Sequence, residues 1–202
     1  SISSEEAHLA TRGILDGVVD PLQAAIFFIA LRMKRETPEE NAGVLSATRE
    51  ATIEAMADVD DLVHLVDPFG GFNKCLPAST FLPAVLAECG VNSVILGLES
   101  ISPKFGITHH QILRSHGLAV DLAPETAVAR IEDPDIGWAY LDQSRFSPKL
   151  HALVGLHDVA EELLLGPRAA RELVRVVAED VVRAGSGALA EDAAHRRAEG
   201  LA

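Results

Sequence analysis

Apolar positions in the first sixty residues recur at helical spacing, and the polar punctuation between them predicts three helices. The first opens at Ser3-Ser4-Glu5-Glu6, where a capping hydroxyl and an acid three residues on can satisfy free backbone donors reciprocally; it closes near Gly17. Asp20-Pro21 starts a second, with Asp as cap and Pro at the first helical position. Its apolar residues, Ala24, Ala25, Phe27, Phe28 and Leu31, leave it apolar almost all round, so it needs cover from a second layer or a partner subunit. Thr37-Pro38-Glu39-Glu40 caps the third. From Asp58 the pattern changes to short β-branched runs at 62–66, 91–96 and 137–141, separated by helical stretches, one of which begins at Pro124-Glu125-Thr126. Such alternation predicts a parallel sheet with crossover helices. Beyond Pro148 the chain is Ala-, Arg- and Glu-rich helix, broken at Gly166-Pro167 and Gly185-Ser186-Gly187.

The expected fold class is α/β: a small all-helical domain over 1–57, then a parallel-sheet domain with crossover helices and a helical C-terminus over 58–202. A chain of 202 residues with 48% hydrophobic content can bury a core of that size. Thirty acidic against seventeen basic residues give a formal charge of -13, which opposes non-specific nucleic-acid binding. The C-terminal arginines alternate with acids and read as solvated, ion-paired helices. Two cysteines, Cys75 and Cys89, are too few for a disulfide framework, and no apolar segment is long enough to span a membrane, so the expected setting is cytoplasmic.

Two loops carry the candidate chemistry. Asp67-Pro68-Phe69-Gly70-Gly71-Phe72-Asn73-Lys74 follows the first apolar run, and Ser102-Pro103-Lys104-Phe105-Gly106 follows the second. Loops at the carboxyl ends of parallel strands are where ligands bind in α/β folds, so this pair points to a phosphate-bearing ligand. Gly70 and Gly71 serve equally well in a tight turn without a ligand, and Ser79 and Thr80 as helix caps. Lys104 is either a diphosphate contact or a solvated lysine. His109, His110 and His116 invite a metal reading, but adjacent helical residues point about 100° apart, which keeps the first two from facing one ion. The pairs Asp60-Asp61 and Glu39-Glu40 read as solvated faces or first-turn acids.

Leu15-Asp16-Gly17, Gln23-Ala24-Ala25, Ala30-Leu31-Arg32-Met33-Lys34 and Glu36-Thr37-Pro38-Glu39-Glu40 together resemble the N-terminal helical domain of the anthranilate phosphoribosyltransferase family. The resemblance continues through Ser79-Thr80, where the family's Asn-x-Ser-Thr phosphate element ends, and through Ser102 to Gly106, where the family has a Ser-Ser-Lys-Ser-Gly-like loop; it covers roughly residues 5 to 155. It implies a homodimer through the N-terminal helices and an α/β domain binding phosphoribosyl pyrophosphate with Mg2+. It also implies transfer of the phosphoribosyl group to an aromatic amine or base. The implied substrate-binding residues are Gly70, Gly71, Asn73, Ser79, Thr80, Ser102 and Lys104.

The chain departs from the family pattern where activity would be decided. Asp67-Pro68-Phe69-Gly70-Gly71 stands in place of Gly-Thr-Gly-Gly-Asp, and Pro68 removes a backbone donor. Ile95-Leu96-Gly97-Leu98 stands in place of the acceptor-facing Lys-His-Gly-Asn, and the acidic pair that holds magnesium has no counterpart. The chain thus resembles a divergent, shortened member, and the alternative to an active transferase is a non-catalytic relative acting as a binding or regulatory dimer.

Overall fold

The computed structural model describes residues 1–66, 71–101 and 105–155. These fall into two compact units, whose described parts are 1–51 with 153–155, and 52–152.

Helices make up the first unit: α1 (Ser4–Leu15), α2 (Pro21–Lys34) and α3 (Pro38–Glu50). All three start as the capping residues predict. Ser3 and Glu6 form a reciprocal capping box, Asp20 accepts from the Leu22 amide ahead of Pro21, and Thr37 with Glu40 forms a second box. Phe27, Ala24, Ala30 and Leu31 of α2 join Ala10 and Ile14 of α1 in one buried cluster, against which Leu153 also packs. Burial of Phe27, fully removed from solvent, contributes about 2–3 kcal/mol. The α1–α3 contact is closer still, because a Cβ on Gly43 would fall 2.1 Å from the Ser4 carbonyl oxygen.

Three parallel strands, β1 (Leu62–Val66), β2 (Asn92–Gly97) and β3 (Trp138–Asp142), lie side by side in that order in the second unit. The strand at 62–66 matches its sequence pattern, while the other two begin one residue later than their apolar runs. Gly90, at φ +79°, closes α4 (Leu82–Glu88) with its amide donating to the Ala87 carbonyl and the next amide, Val91, donating to that of Leu86, so Val91 belongs to the turn. Gly137, also at positive φ, likewise turns into β3.

Alternating side chains of the sheet enter two clusters. Val94 and Ala139 pack under α6 (Pro124–Glu132) with Ala127 and Ile131. Ile95 and Tyr140 pack on the other face with Val120 and with Leu113 of α5 (His109–Ser115). Two short helices, α7 (Gln143–Phe146) and α8 (Pro148–His151), follow β3. The described residues thus form an N-terminal helical bundle and a parallel α/β sheet with crossover helices, the expected fold class. The Ala- and Arg-rich stretch from 156 onward lies outside the described residues.

Of the two readings of Glu40, the first-turn acid holds and the solvated face does not. It is completely buried, accepting from the Ile2 and Thr37 amides and pairing with Lys34, whose side chain is itself nearly buried. Burial pushes its carboxyl upward, but the Lys34 ammonium and the two amides outweigh that and hold it below its ordinary value. The spacing reveals the first-turn position and not the three donors that fold back onto it.

Candidate functional site

Parallel pairing in register sets the three strands level at their carboxyl ends: Val66 faces Leu96, Leu96 faces Leu141, and Gly97 faces Asp142. The loops leaving β1, β2 and β3 therefore emerge at one edge of the sheet. Crevices at such edges are the usual ligand positions of open α/β sheets.

The first two loops are pinned together. Phe72 and Ile107 form an isolated antiparallel bridge, the Phe72 amide donating to the Ile107 carbonyl at 2.9 Å and the Ile107 amide returning a bond at 3.0 Å. Gly71, buried and at φ +91°, sits against the backbone of Gly106: a Cβ there would lie 2.4 Å from the Gly106 carbonyl oxygen. A Cβ on Gly106 would lie 2.4 Å from Asn73 Oδ1 and 2.6 Å from the Phe72 nitrogen. Only glycines let the two backbones approach this closely. Thus the structure brings Gly71 and Asn73 of the first loop onto the second loop at Gly106. Gly70, Ser102 and Lys104 lie outside the described residues.

Ser79 and Thr80 belong to a 3₁₀ turn, Ala78–Phe81, that precedes α4, and neither caps it through its side chain. Ser79 is exposed. Thr80 is fully buried, its hydroxyl 2.9 Å from the Pro77 carbonyl oxygen and 2.8 Å from His109 Nδ1. Its polar capacity is committed within the protein, and through it the 3₁₀ turn is tied to the first residue of α5.

Adjacent His109 and His110 diverge as helical geometry requires. His109 meets Thr80 and the ring of Phe72, with centroids 6.2 Å apart. His110 turns toward β3, where Nδ1 lies 2.9 Å from Asp142 Oδ2. Asp142 also accepts from the Tyr140 hydroxyl at 3.2 Å and from the Ser144 amide and hydroxyl at 2.9 and 2.6 Å. Burial pushes the Asp142 carboxyl up, yet these donors pull it below its ordinary value, while burial and the neighbouring carboxylate push the Tyr140 phenol far upward. Thr108 precedes both histidines, forms a capping box with Gln111, and donates its hydroxyl to the Glu99 carbonyl at 3.0 Å, closing the second loop on itself. The Thr108-x-x-Gln111 spacing is legible in the sequence and would have marked this helix start.

Among the described residues no three His, Cys, Asp or Glu side chains converge to hold a metal ion. His116 is engaged with the Ile112 carbonyl oxygen instead, and Asp142, the carboxylate at the strand ends, is enclosed by protein donors. The described residues therefore form no cage of three protein ligands for a magnesium ion. Cys75 and Cys89 are free and exposed. Among the described residues no helix is long and apolar enough to cross a membrane.

A helical bundle joined in sequence to a parallel α/β unit with paired glycine loops at its carboxyl edge defines a class that known proteins share. Residues 1–52 match the glycosyl transferase family, helical bundle domain. The chain is 31% identical over 175 residues to the anthranilate phosphoribosyltransferase of Anaeromyxobacter dehalogenans, covering 83% of this chain and 50% of that protein. It is 28% identical over 155 residues to the enzyme of the same name from Aquifex aeolicus, covering 76% and 44%. The crystal structure of anthranilate phosphoribosyltransferase from Thermus thermophilus superimposes with a TM-score of 0.67 at 23% identity, over 86% of this chain and 51% of that one, a likeness of fold. The chain belongs to the anthranilate phosphoribosyltransferase family, as a divergent member. It spans about half the length of the curated relatives it matches.

Proposed function

We propose that the protein is phosphoribosyltransferase-like: it binds phosphoribosyl pyrophosphate at the level carboxyl ends of β1 and β2 and transfers the phosphoribosyl group to an aromatic amine or base. In that reaction the anomeric carbon–oxygen bond to the diphosphate breaks, a carbon–nitrogen bond forms, and the amine loses a proton. A site for it must stabilise a departing diphosphate and a sugar developing positive charge, which asks for oriented donors more than for covalent machinery. The observation that supports this reading is the Phe72–Ile107 bridge, which holds two glycine loops side by side at the strand ends next to Thr80. The proposed ligand contacts are Gly70, Gly71, Asn73, Ser79, Ser102 and Lys104, with Thr80 acting through the position it gives its neighbours.

The same proposal carries a domain boundary near residue 57, a cytoplasmic setting and a homodimer formed through the N-terminal helices. Exposed Val18, Leu22 and Leu45 on the helical unit support the dimer, since they give it apolar surface for a partner copy to cover. Calorimetric titration of phosphoribosyl pyrophosphate, with and without magnesium, tests the site. Saturable binding that disappears when Lys104→Ala and Ser79→Ala are combined is the expected result. Absence of binding by the unmutated protein would leave the second reading, a non-catalytic dimeric relative, which the internally committed Thr80 hydroxyl favours.

A further inference from the structure

We propose that the acceptor of the transfer is an aromatic amine or base without a carboxylate, and that it binds in an apolar groove on the α6 face of the sheet; the inference rests on the reading of the protein as a phosphoribosyltransferase. The groove, of about 340 Å³, lies wholly within the second unit, and every residue that lines it is described. Leu62, Val94, Leu96 and Leu141 line it from the sheet, and Ala127 and Ile131 from α6. Leu96 and Leu141 each stand one residue before the ends of their strands, so the groove reaches the carboxyl edge, where ligands of open α/β sheets sit. The irregular segment 52–57 supplies a further wall and is held on both sides. Near its start the Ile53 amide donates to the Phe146 carbonyl at 2.7 Å, and just past its end the Asp58 amide donates to Glu132 Oε1 at 2.8 Å.

Thirteen of the sixteen lining residues are apolar, and the others are Thr52, Glu54 and His64. An apolar site of this volume with a few polar groups suits one small ring system. No lysine or arginine lines it, and its one fixed charge is the Glu54 carboxylate, in a chain of net charge -13. A carboxylate on the ligand would give up water against apolar walls with no fixed cation to pair with, and would meet Glu54 with a charge of the same sign. An N–H group is suited instead, because an ionised Glu54 can only accept, while the His64 ring offers a donor or an acceptor according to its tautomer. The apolar lining and the sign of its charge together select a neutral or cationic aromatic amine.

Aminobenzamide and anthranilate, both with the amine ortho, are matched probes: the ring and amine are the same, and only the second carries a negative charge. Calorimetry on the full chain, with and without phosphoribosyl pyrophosphate and magnesium, is expected to show the amide binding about tenfold or more tighter than the acid. Methyl NMR of the unmutated protein gives the position independently of any variant's folding. The amide should move the signals of Ile53, Leu96 and Ile131 and leave those of Leu113 and Val120, on the other face of the sheet, in place. Glu54 is exposed, so Glu54→Lys is expected to retain the fold and to narrow the preference for the amide, and Val128→Trp, which fills the groove from α6, to abolish amide binding. If phosphoribosyl pyrophosphate binds while anthranilate binds as tightly as the amide, or while neither amine moves the groove methyls, this inference fails and the transferase reading stands. If the amide occupies the groove of a protein that takes no phosphoribosyl pyrophosphate, the transferase reading fails and with it the role of the groove as an acceptor site.

Discussion

His110 and Asp142 form a buried pair, Nδ1 to Oδ2 at 2.9 Å, that joins the first turn of α5 to the carboxyl end of β3. Removing the carboxylate with Asp142→Ala leaves an imidazole N–H, the Tyr140 hydroxyl and both Ser144 donors without an acceptor, and is expected to destabilise the protein by about 3–5 kcal/mol. The pH dependence follows from the lowered carboxyl. A group whose folded value lies below its unfolded value contributes its stability above the unfolded value, near about 4, and loses it as pH falls through the folded value. Urea unfolding at neutral pH should therefore separate Asp142→Ala from the parent by the full amount, with the gap closing as the solution is acidified below the ordinary carboxylate range. A gap that stayed constant would remove the charge from the explanation and leave packing.

The clasp between the two loops depends on glycine at both positions. Gly71→Ala adds a methyl 2.4 Å from the Gly106 carbonyl oxygen at a positive φ, and Gly106→Ala adds one 2.6 Å from the Phe72 nitrogen. Neither backbone can yield without opening the Phe72–Ile107 bridge. Each substitution is expected to cost about 1–3 kcal/mol and to weaken pyrophosphate binding, with faster hydrogen exchange at the Phe72 and Ile107 amides. Unchanged exchange in both variants would show that the bridge does not rely on glycine.

Much of this architecture is legible in the sequence, and the reason is local. Ser3, Asp20-Pro21 and Thr37-Pro38 declare their helices because a cap and its partner lie within one turn, and the strand at 62–66 declares itself by its apolar, β-branched run. The roles that remain hidden come from residues far apart in the chain. Thr80 meets His109 across 29 positions, His110 meets Asp142 across 32, and Ile2 reaches Glu40 across 38. His109 and His110 attract attention in the sequence as metal ligands, while the fold gives their Nδ1 atoms to a hydroxyl and a carboxylate. Glycines at 71 and 106 are visible, but only the antiparallel bridge explains why both are required.

Glu40 offers a test of the helical unit by itself. Lys34→Met strips the buried carboxylate of its cation while preserving much of the side-chain volume, and is expected to cost about 3–5 kcal/mol. Glu40→Gln should cost less than Glu40→Ala, since an amide oxygen can still accept from the Thr37 amide in the capping box. Glu40 is also held below its ordinary value, so its contribution too is present above about pH 4 and fades as pH drops further. Chemical denaturation of the three variants at neutral pH checks the order, and equal losses in Glu40→Gln and Glu40→Ala would exclude the capping role.

Gly43 decides how closely α1 and α3 can pack. Its own helical conformation is ordinary, so alanine would gain about 1 kcal/mol in an exposed helix by lowering the entropy lost on folding. Here the added methyl would lie 2.1 Å from the Ser4 carbonyl oxygen and 2.9 Å from the Ala7 Cβ and the His8 nitrogen, all on α1. Backbone atoms cannot rotate aside as a long side chain would, so the helices must separate. Separation would also disturb the Arg12 and His8 pairings with Glu50 at the far end of the same contact. Gly43→Ala is therefore expected to destabilise by about 2–3 kcal/mol despite its favourable propensity, the overpacking cost outweighing the helical gain. A thermal unfolding midpoint that rose on this substitution would show that α1 and α3 are not in contact at this point in solution.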